Sequence, residues 1–106
     1  MRKVILRDER DGPDYRSLVA RITEEGALTI EGHDLGPGTS PVSDDGEYEW
    51  ARTIRREDIP RLLVLLGARA EADILTELEK WTGSKSYDLE SSLRESDIPN
   101  DLWVWR

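Results

Sequence analysis

The only histidine in the chain, His33, is followed directly by Asp34. A histidine beside a carboxylate can act as a general base or as a metal ligand, so this pair is the first candidate for chemistry. No serine or second histidine stands at a spacing that completes a catalytic set, so we favour a surface or turn histidine and predict no catalytic residue. The alternative is a small enzyme or ligand-binding domain with a cleft near His33 and Asp34.

A second group of chemically capable side chains is acidic: Asp44, Asp45, Glu47 and Glu49. Their oxygens suit calcium, but their spacing departs from the loop of alternating acids, central glycine and closing glutamate that binds this ion. Because Asp45-Gly46 also has the composition of a turn before a strand, we predict no metal site. We expect these carboxylates to present a charged surface to a partner.

The segment Gly36-Pro37-Gly38 could suggest a phosphate-binding loop. It lacks the third glycine of a dinucleotide loop and the Gly-Lys-Ser/Thr ending of a P-loop, and Pro37 and Pro41 each remove a backbone amide that such a loop would use. We therefore predict no cofactor. One basic cluster could bind an anion, but we expect it to pair with neighbouring acids; it comprises Arg52, Arg55, Arg56 and Arg61.

The chain has four tryptophans and no phenylalanine, so part of its aromatic set has to fill the core. Trp103 and Trp105 stand two residues apart in a segment of β-favouring residues, and they therefore share one face of a strand. If Leu102 and Val104 face the helices, the tryptophan pair lies on the opposite face of the sheet. Tryptophan is enriched where binding energy concentrates, so Trp103 and Trp105 are candidate anchors for a partner.

The scaffold for these residues is predicted to begin with antiparallel strands. Short apolar runs or alternation mark them at 4–6, 15–23, 27–31 and 48–54. The polar run 7–11 and the Gly12-Pro13 turn signal are expected to end the first strand. In the fourth, Tyr48 and Trp50 alternate with charged or small residues, so this strand should bury its aromatics.

The pattern then changes to that of helices. Asp58 as N-cap, Pro60 in the first turn and Gly67 as a stop predict a helix of about two turns, although the wholly apolar run 62–66 leaves a buried strand open as the alternative. Further helices are predicted over 70–82 and from Ser86 to about Ser96.

The segment 102–105 is predicted to be a final strand that docks on the sheet. The whole chain, 1–106, is then a single α+β domain. In it an antiparallel sheet of four to five strands packs against about three helices, in the order β-β-β-β-α-α-α-β.

Composition restricts the class of partner. With 23 acidic and 15 basic side chains, the formal charge is −8, which disfavours nucleic acid and anionic membranes and favours a basic protein. The chain has no cysteine, and its longest apolar run, 62–66, is too short to span a membrane. We expect a cytoplasmic protein.

The run Glu31-Gly32-His33-Asp34-Leu35-Gly36, followed by Asp45-Gly46-Glu47-Tyr48-Glu49-Trp50 and a leucine-rich helix, resembles a family of small uncharacterised acidic bacterial proteins over residues 31–80. In size, charge and architecture the chain is also similar to immunity proteins, which bind a cognate toxin and block it. The resemblance implies a non-enzymatic module that binds a basic protein. A homodimer formed through the edge strand 102–105 is the alternative assembly.

Overall fold

The computed structural model describes residues 2–36 and 47–105, and for Glu47 and Trp105 it describes the backbone alone. Within these ranges the chain forms a five-stranded antiparallel sheet and three α-helices in the order β-β-β-β-α-α-α-β. The predicted α+β class and element order are confirmed. The strands follow one another across the sheet in sequence order, so that each strand pairs with the next in a meander.

The strands are mostly longer than the apolar pattern indicates. They are β1 Lys3–Asp11, β2 Asp14–Ile22, β3 Leu28–Leu35, β4 Glu47–Ile54 and β5 Asp101–Trp105. The prediction that the polar run 7–11 ends β1 is wrong, because these residues pair with the first half of β2 across the Gly12-Pro13 turn. Backbone pairing does not require apolar side chains, and Gly12 supplies the positive φ of 60° at this turn.

β3 also continues past its predicted end at Glu31 and pairs with both β2 and β4 as far as Leu35. His33 and Asp34 therefore lie inside β3 and not in a turn beyond its end. Successive strand residues point to opposite faces of a sheet. The two side chains accordingly point away from each other.

An irregularity in β1 determines which of its residues face the helices. Ile5 lies opposite Val19, whereas Arg7 lies opposite Leu18, so Leu6 is an extra residue in the ladder. Such a β-bulge changes the phase of side-chain alternation. As a result Leu6 and Arg7 are both buried, although they are adjacent in the sequence.

Helices cover one face of the sheet, and the core lies between them and the strands. The helices are α1 Ile59–Leu65, α2 Ile74–Leu78 and α3 Lys85–Glu95. None of the helices in the described ranges is long and apolar enough to cross a membrane. The largest fully buried apolar side chains come from both layers: Leu6, Leu18, Leu28, Ile30, Ile54, Leu62, Leu63, Leu78, Leu89 and Leu93. We call the face away from the helices the outer face.

The helix signals in the sequence locate the first two helices to within a few residues of their observed bounds. α1 begins after Asp58 with proline in its first turn, and Gly67 beyond its end has a φ of 82°, so this segment is a helix and not a buried strand. α2 begins later than the predicted residue 70. Asp73 is its N-cap, and the Asp73 carboxylate accepts a hydrogen bond from the backbone N–H of Thr76 at 3.0 Å.

Ser86 does not cap α3 as predicted, because the N-cap position is occupied by Ser84. Ser86 lies in the first turn, where its buried hydroxyl donates to the carbonyl of Gly83 at 2.6 Å and accepts from Arg7 Nε at 2.9 Å. The side chain therefore connects the helix to the bulged strand β1. Leu89 and Leu93 are buried one turn apart, as predicted.

Candidate functional site

The candidate residues from the sequence are distributed over both faces of the sheet. Asp44 and Asp45 lie outside the described residues. Glu47 begins β4, and Trp105 ends β5. His33 and Asp34 project from opposite faces of β3, so the structure does not bring these two side chains into one cleft.

On the outer face, the histidine has an acidic neighbour other than the one beside it in sequence. His33 lies opposite Glu49 in the β3–β4 ladder, and its Nε2 is 3.3 Å from Glu49 Oε1. Position 105 lies opposite Glu49 on the other side, and Trp103 lies opposite Ala51. The structure therefore brings His33, Glu49 and the tryptophan-bearing strand together at one end of the outer face.

β5 is the last strand at one edge of the sheet in the described part of the chain. Three consecutive apolar residues on it are exposed: Leu102 by 52%, Trp103 by 64% and Val104 by 40%. Leu102 and Val104 lie opposite Arg52 and Trp50 on the helix side, which leaves Trp103 on the outer face. An exposed apolar edge strand is unusual, because such edges pair readily with other chains.

On the helix side, a groove of about 340 Å³ lies between α3 and the end of the sheet. We call it the arginine groove. Its charged lining residues are Arg7, Arg16, Asp34, Arg52, Glu90 and Arg94, and its aromatic lining residues are Tyr48, Trp50 and Tyr87. The sequence analysis does not anticipate this site, although it includes Asp34 among its candidates.

Arg7 forms the floor of the arginine groove, where it is only 5% exposed. Its guanidinium lies over the ring of Tyr87, 3.7 Å from the centroid, while Nε donates to Ser86. Nη2 lies 2.8 Å from Glu90 Oε1, an ion pair whose angles leave both atoms without a well-formed hydrogen bond. A buried charge is held in place here, with donor capacity that its protein partners do not fill.

Two of the other arginines are anchored by a hydrogen bond to a neighbouring side chain. Arg52 Nη1 donates to Asn100 Oδ1 at 2.8 Å, and Arg94 Nη2 donates to Ser91 Oγ at 3.3 Å. A guanidinium carries five N–H donors, so one such bond fixes the side chain and leaves most of its donors for other groups.

Another part of the rim is formed by residues of β1, β2 and α3. The hydroxyl of Tyr87 donates to Glu9 Oε1 at 2.6 Å, and a hydrogen bond to Tyr87 is the main cause of the raised pKa of Arg16. Burial raises the pKa of Asp34, and it does so against the opposing charges of Arg16 and Arg7. The Asp34 carboxyl is therefore partly withdrawn from water.

The arginine groove has a positive local charge in a strongly acidic chain. Its four arginines outnumber its two carboxylates, whereas the chain as a whole carries −8. Guanidinium groups bind carboxylates and phosphates through paired N–H donors. The arrangement is therefore suited to holding an anion, while the aromatic rings offer flat apolar surface.

The basic cluster seen in the sequence is divided by the fold. Arg55 lies within ion-pair distance of Glu57 and Asp58, and Arg61 contacts Asp58 and Asp97, which confirms the predicted pairing for these two arginines. Arg52 lies in the arginine groove instead. The alternation of β4 indicates this separation, because Arg52 shares its face with Trp50.

Comparisons with known proteins add no relative to this description. No protein-family model, curated protein or solved structure matches the chain. Within residues 2–36 and 47–105, no group of three or more acidic or histidine side chains is placed to hold a metal ion.

Proposed function

We propose that the protein is a non-enzymatic binding module that engages a basic protein partner through β5 and the adjoining outer face. The observation that carries this proposal is the edge strand with Leu102, Trp103 and Val104 all at least 40% exposed. Natural proteins commonly protect such edges with charge, proline or a bulge. An apolar edge strand is consistent with a surface that a partner covers.

The mode of binding that suits this surface is addition of a strand. An extended segment of the partner would pair with the backbone of β5, and its side chains would alternate between Trp103 on one face and Leu102 with Val104 on the other. Tryptophan side chains often supply a large share of interface energy. Trp103 is accordingly the proposed anchor.

Charge favours a basic partner. The chain carries −8, and on the outer face beside Trp103 lie Glu49 and the exposed Asp101. Opposite charge on the partner would accelerate association, and salt would weaken it. On the basis of the sequence, we also include Asp44, Asp45 and Glu47 in the proposed acidic surface. A toxin with a basic surface would be a partner of this kind, in agreement with the resemblance to immunity proteins.

The test is a paired affinity capture from the source cell, with wild type and Trp103→Ala as baits at low and moderate salt. We expect a basic protein to be retained by the wild type, released as salt rises, and lost with Trp103→Ala. Val64→Ala is the matched control, because Val64 is 60% exposed but lies on α1. It should retain the same protein, and the interaction should then be reproduced with purified components.

Two outcomes would contradict the proposal. Equal capture by wild type and Trp103→Ala would show that β5 is not the binding surface. If the wild type recovers only its own copies, and Trp103→Ala converts a dimer into a monomer by light scattering, the edge strand forms a homodimer instead.

A further inference from the structure

The arginine groove lies on the helix side of the sheet, whereas Trp103 lies on the outer face, and the proposed binding of a basic protein does not explain the arginines. Four of its residues are arginines, in a chain whose acidic residues outnumber its basic ones. Surface arginines in such a chain would be expected to pair with the abundant carboxylates. Their convergence on one groove therefore calls for a separate physical reason.

Arg7 gives the strongest indication of a ligand. Its side chain is buried on the helix side by the bulge at Leu6. Nη2 is ion-paired with Glu90 Oε1 at 2.8 Å, but it lacks a well-formed hydrogen bond within the protein. Leaving a buried charged donor incompletely satisfied is costly, and such an atom commonly marks a place where a ligand or ion completes the set. Nη2 belongs to a side chain that lines the groove.

The remaining lining residues define the chemistry of the ligand. Arg16, Arg52 and Arg94 provide further N–H donors, so the recognised group is an oxyanion, either carboxylate or phosphate. Tyr48 and Trp50 provide flat apolar surface next to these donors. A volume of about 340 Å³ is near the lower end of the range for small-molecule sites.

We propose that the arginine groove binds a small organic anion in which a carboxylate or phosphate is attached to a planar ring. The oxyanion lies among the four arginines of the groove, and the ring lies against Trp50 or Tyr48. Leu102 borders both the groove and the proposed protein-binding strand, but the protein anchor Trp103 lies on the outer face and the arginines lie on the helix side, so the two proposals rest on different residues.

The experiment is a titration of the ¹⁵N-labelled protein followed by the indole and arginine side-chain signals in NMR spectra. The probes are benzoate and adenosine monophosphate as ring-bearing anions, benzamide and adenosine as their uncharged counterparts, and inorganic phosphate as an anion without a ring. We expect the Trp50 and Arg7 signals to shift with a ring-bearing anion and not with its uncharged counterpart. A response to benzoate alone identifies a carboxylate ligand, and a response to the nucleotide alone identifies a phosphate ligand.

Variants assign the response to the groove. Arg94→Gln and Arg16→Gln, both at exposed positions, should each weaken binding by about tenfold through loss of a charged donor. Arg69→Gln is the matched control, because Arg69 is exposed and pairs with Glu71 away from the groove. It should leave the dissociation constant unchanged.

Three results would overturn the proposal. One is the absence of any shift of the Trp50 and Arg7 signals with either ring-bearing anion at concentrations up to about 10 mM, because a dissociation constant above this value is too weak for a functional site. Another is equal binding by wild type and an Arg16→Gln, Arg94→Gln double variant whose melting temperature matches that of the wild type. The third is binding of inorganic phosphate as tight as that of both ring-bearing anions, which would remove the role of the rings.

Discussion

Gly32 in β3 offers a direct test of the packing that shapes the arginine groove. A Cβ atom added at this residue would lie 2.5 Å from Trp50 Cζ2 and 2.6 Å from Trp50 Nε1, whereas ordinary contacts of this kind begin at 3.4 Å. The indole therefore lies directly over the glycine. Gly32→Ala would force the ring to move by about 1 Å within a half-buried site, because densely packed interiors have little free space.

The expected magnitude combines two opposing effects. Overpacking of a well-packed site costs about 1–3 kcal/mol. Replacing glycine by alanine restricts the unfolded chain and returns about 0.4–1 kcal/mol. We expect Gly32→Ala to lower the free energy of unfolding by about 1–2 kcal/mol, and each kcal/mol should lower the melting temperature by about 4–8 °C.

The assay is urea denaturation followed by circular dichroism, combined with a double-mutant cycle. Trp50→Leu removes the ring that the new methyl group would strike, so Gly32→Ala should cost much less in a Trp50→Leu background. The coupling free energy should be about 1 kcal/mol or more. Additive effects, or a Gly32→Ala variant as stable as the wild type, would refute the reasoning.

Three further predictions concern single contacts. Ser86→Ala should lower the free energy of unfolding by about 2 kcal/mol in urea denaturation, because it leaves the buried Nε of Arg7 without its acceptor. Asp73→Ala should cost about 1 kcal/mol near neutral pH through loss of the helix cap to Thr76. Hydrogen bonds from Arg2 and Thr76 hold the pKa of Asp73 at about 2, below its ordinary 3.8. The difference in the free energy of unfolding between wild type and Asp73→Ala should therefore be present above pH 3.8 and disappear as the pH falls through 2. Trp103→Ala should change stability by about 0.5 kcal/mol or less, since the side chain is 64% exposed.

Each of these predictions has a control or a contrary result. Ser91→Ala removes a hydroxyl of α3 that accepts a hydrogen bond from the exposed Arg94, and it should be close to neutral. An Asp73→Ala difference that stays constant down to the lowest pH would show that the carboxylate does not titrate with the expected shift. A loss of several kcal/mol on Trp103→Ala would mean that this tryptophan serves the fold, which would weaken its assignment as a binding anchor.

The sequence predicts the architecture well because its local signals agree with one another. The apolar run 62–66 alone does not decide between helix and strand. Pro60 and Gly67 indicate a helix, and the structure has a helix between them. Leu18 and Ala20 are buried, and they alternate with residues of β2 that are not. Strand ends are less predictable, since the polar run 7–11 is stabilised by its partner strand and not by its own composition.

The arginine groove was beyond the reach of sequence reasoning for a different reason. Arg7 faces the helices only because Leu6 is an extra residue in the ladder, and nothing in the local composition marks a bulge there. Arg16, Arg52 and Arg94 then meet it from separate elements. The alternation of side chains along β4 places Arg52 on the same face as Trp50, and this part of the groove is predictable from the sequence.

The meander also sets an order in which the sheet can assemble. β1, β2 and β3 are joined by the short connections Gly12-Pro13 and 23–27, whereas 55–100, with all the described helices, separates β4 from β5. Closing a loop of that length costs on the order of 3 kcal/mol of chain entropy before any β4–β5 contact forms. Pairing of β5 should therefore be a late step, which depends on prior docking of the helices. Until that step, the edge of β4 is open, and during this interval the nascent domain is most exposed to pairing with another copy of itself.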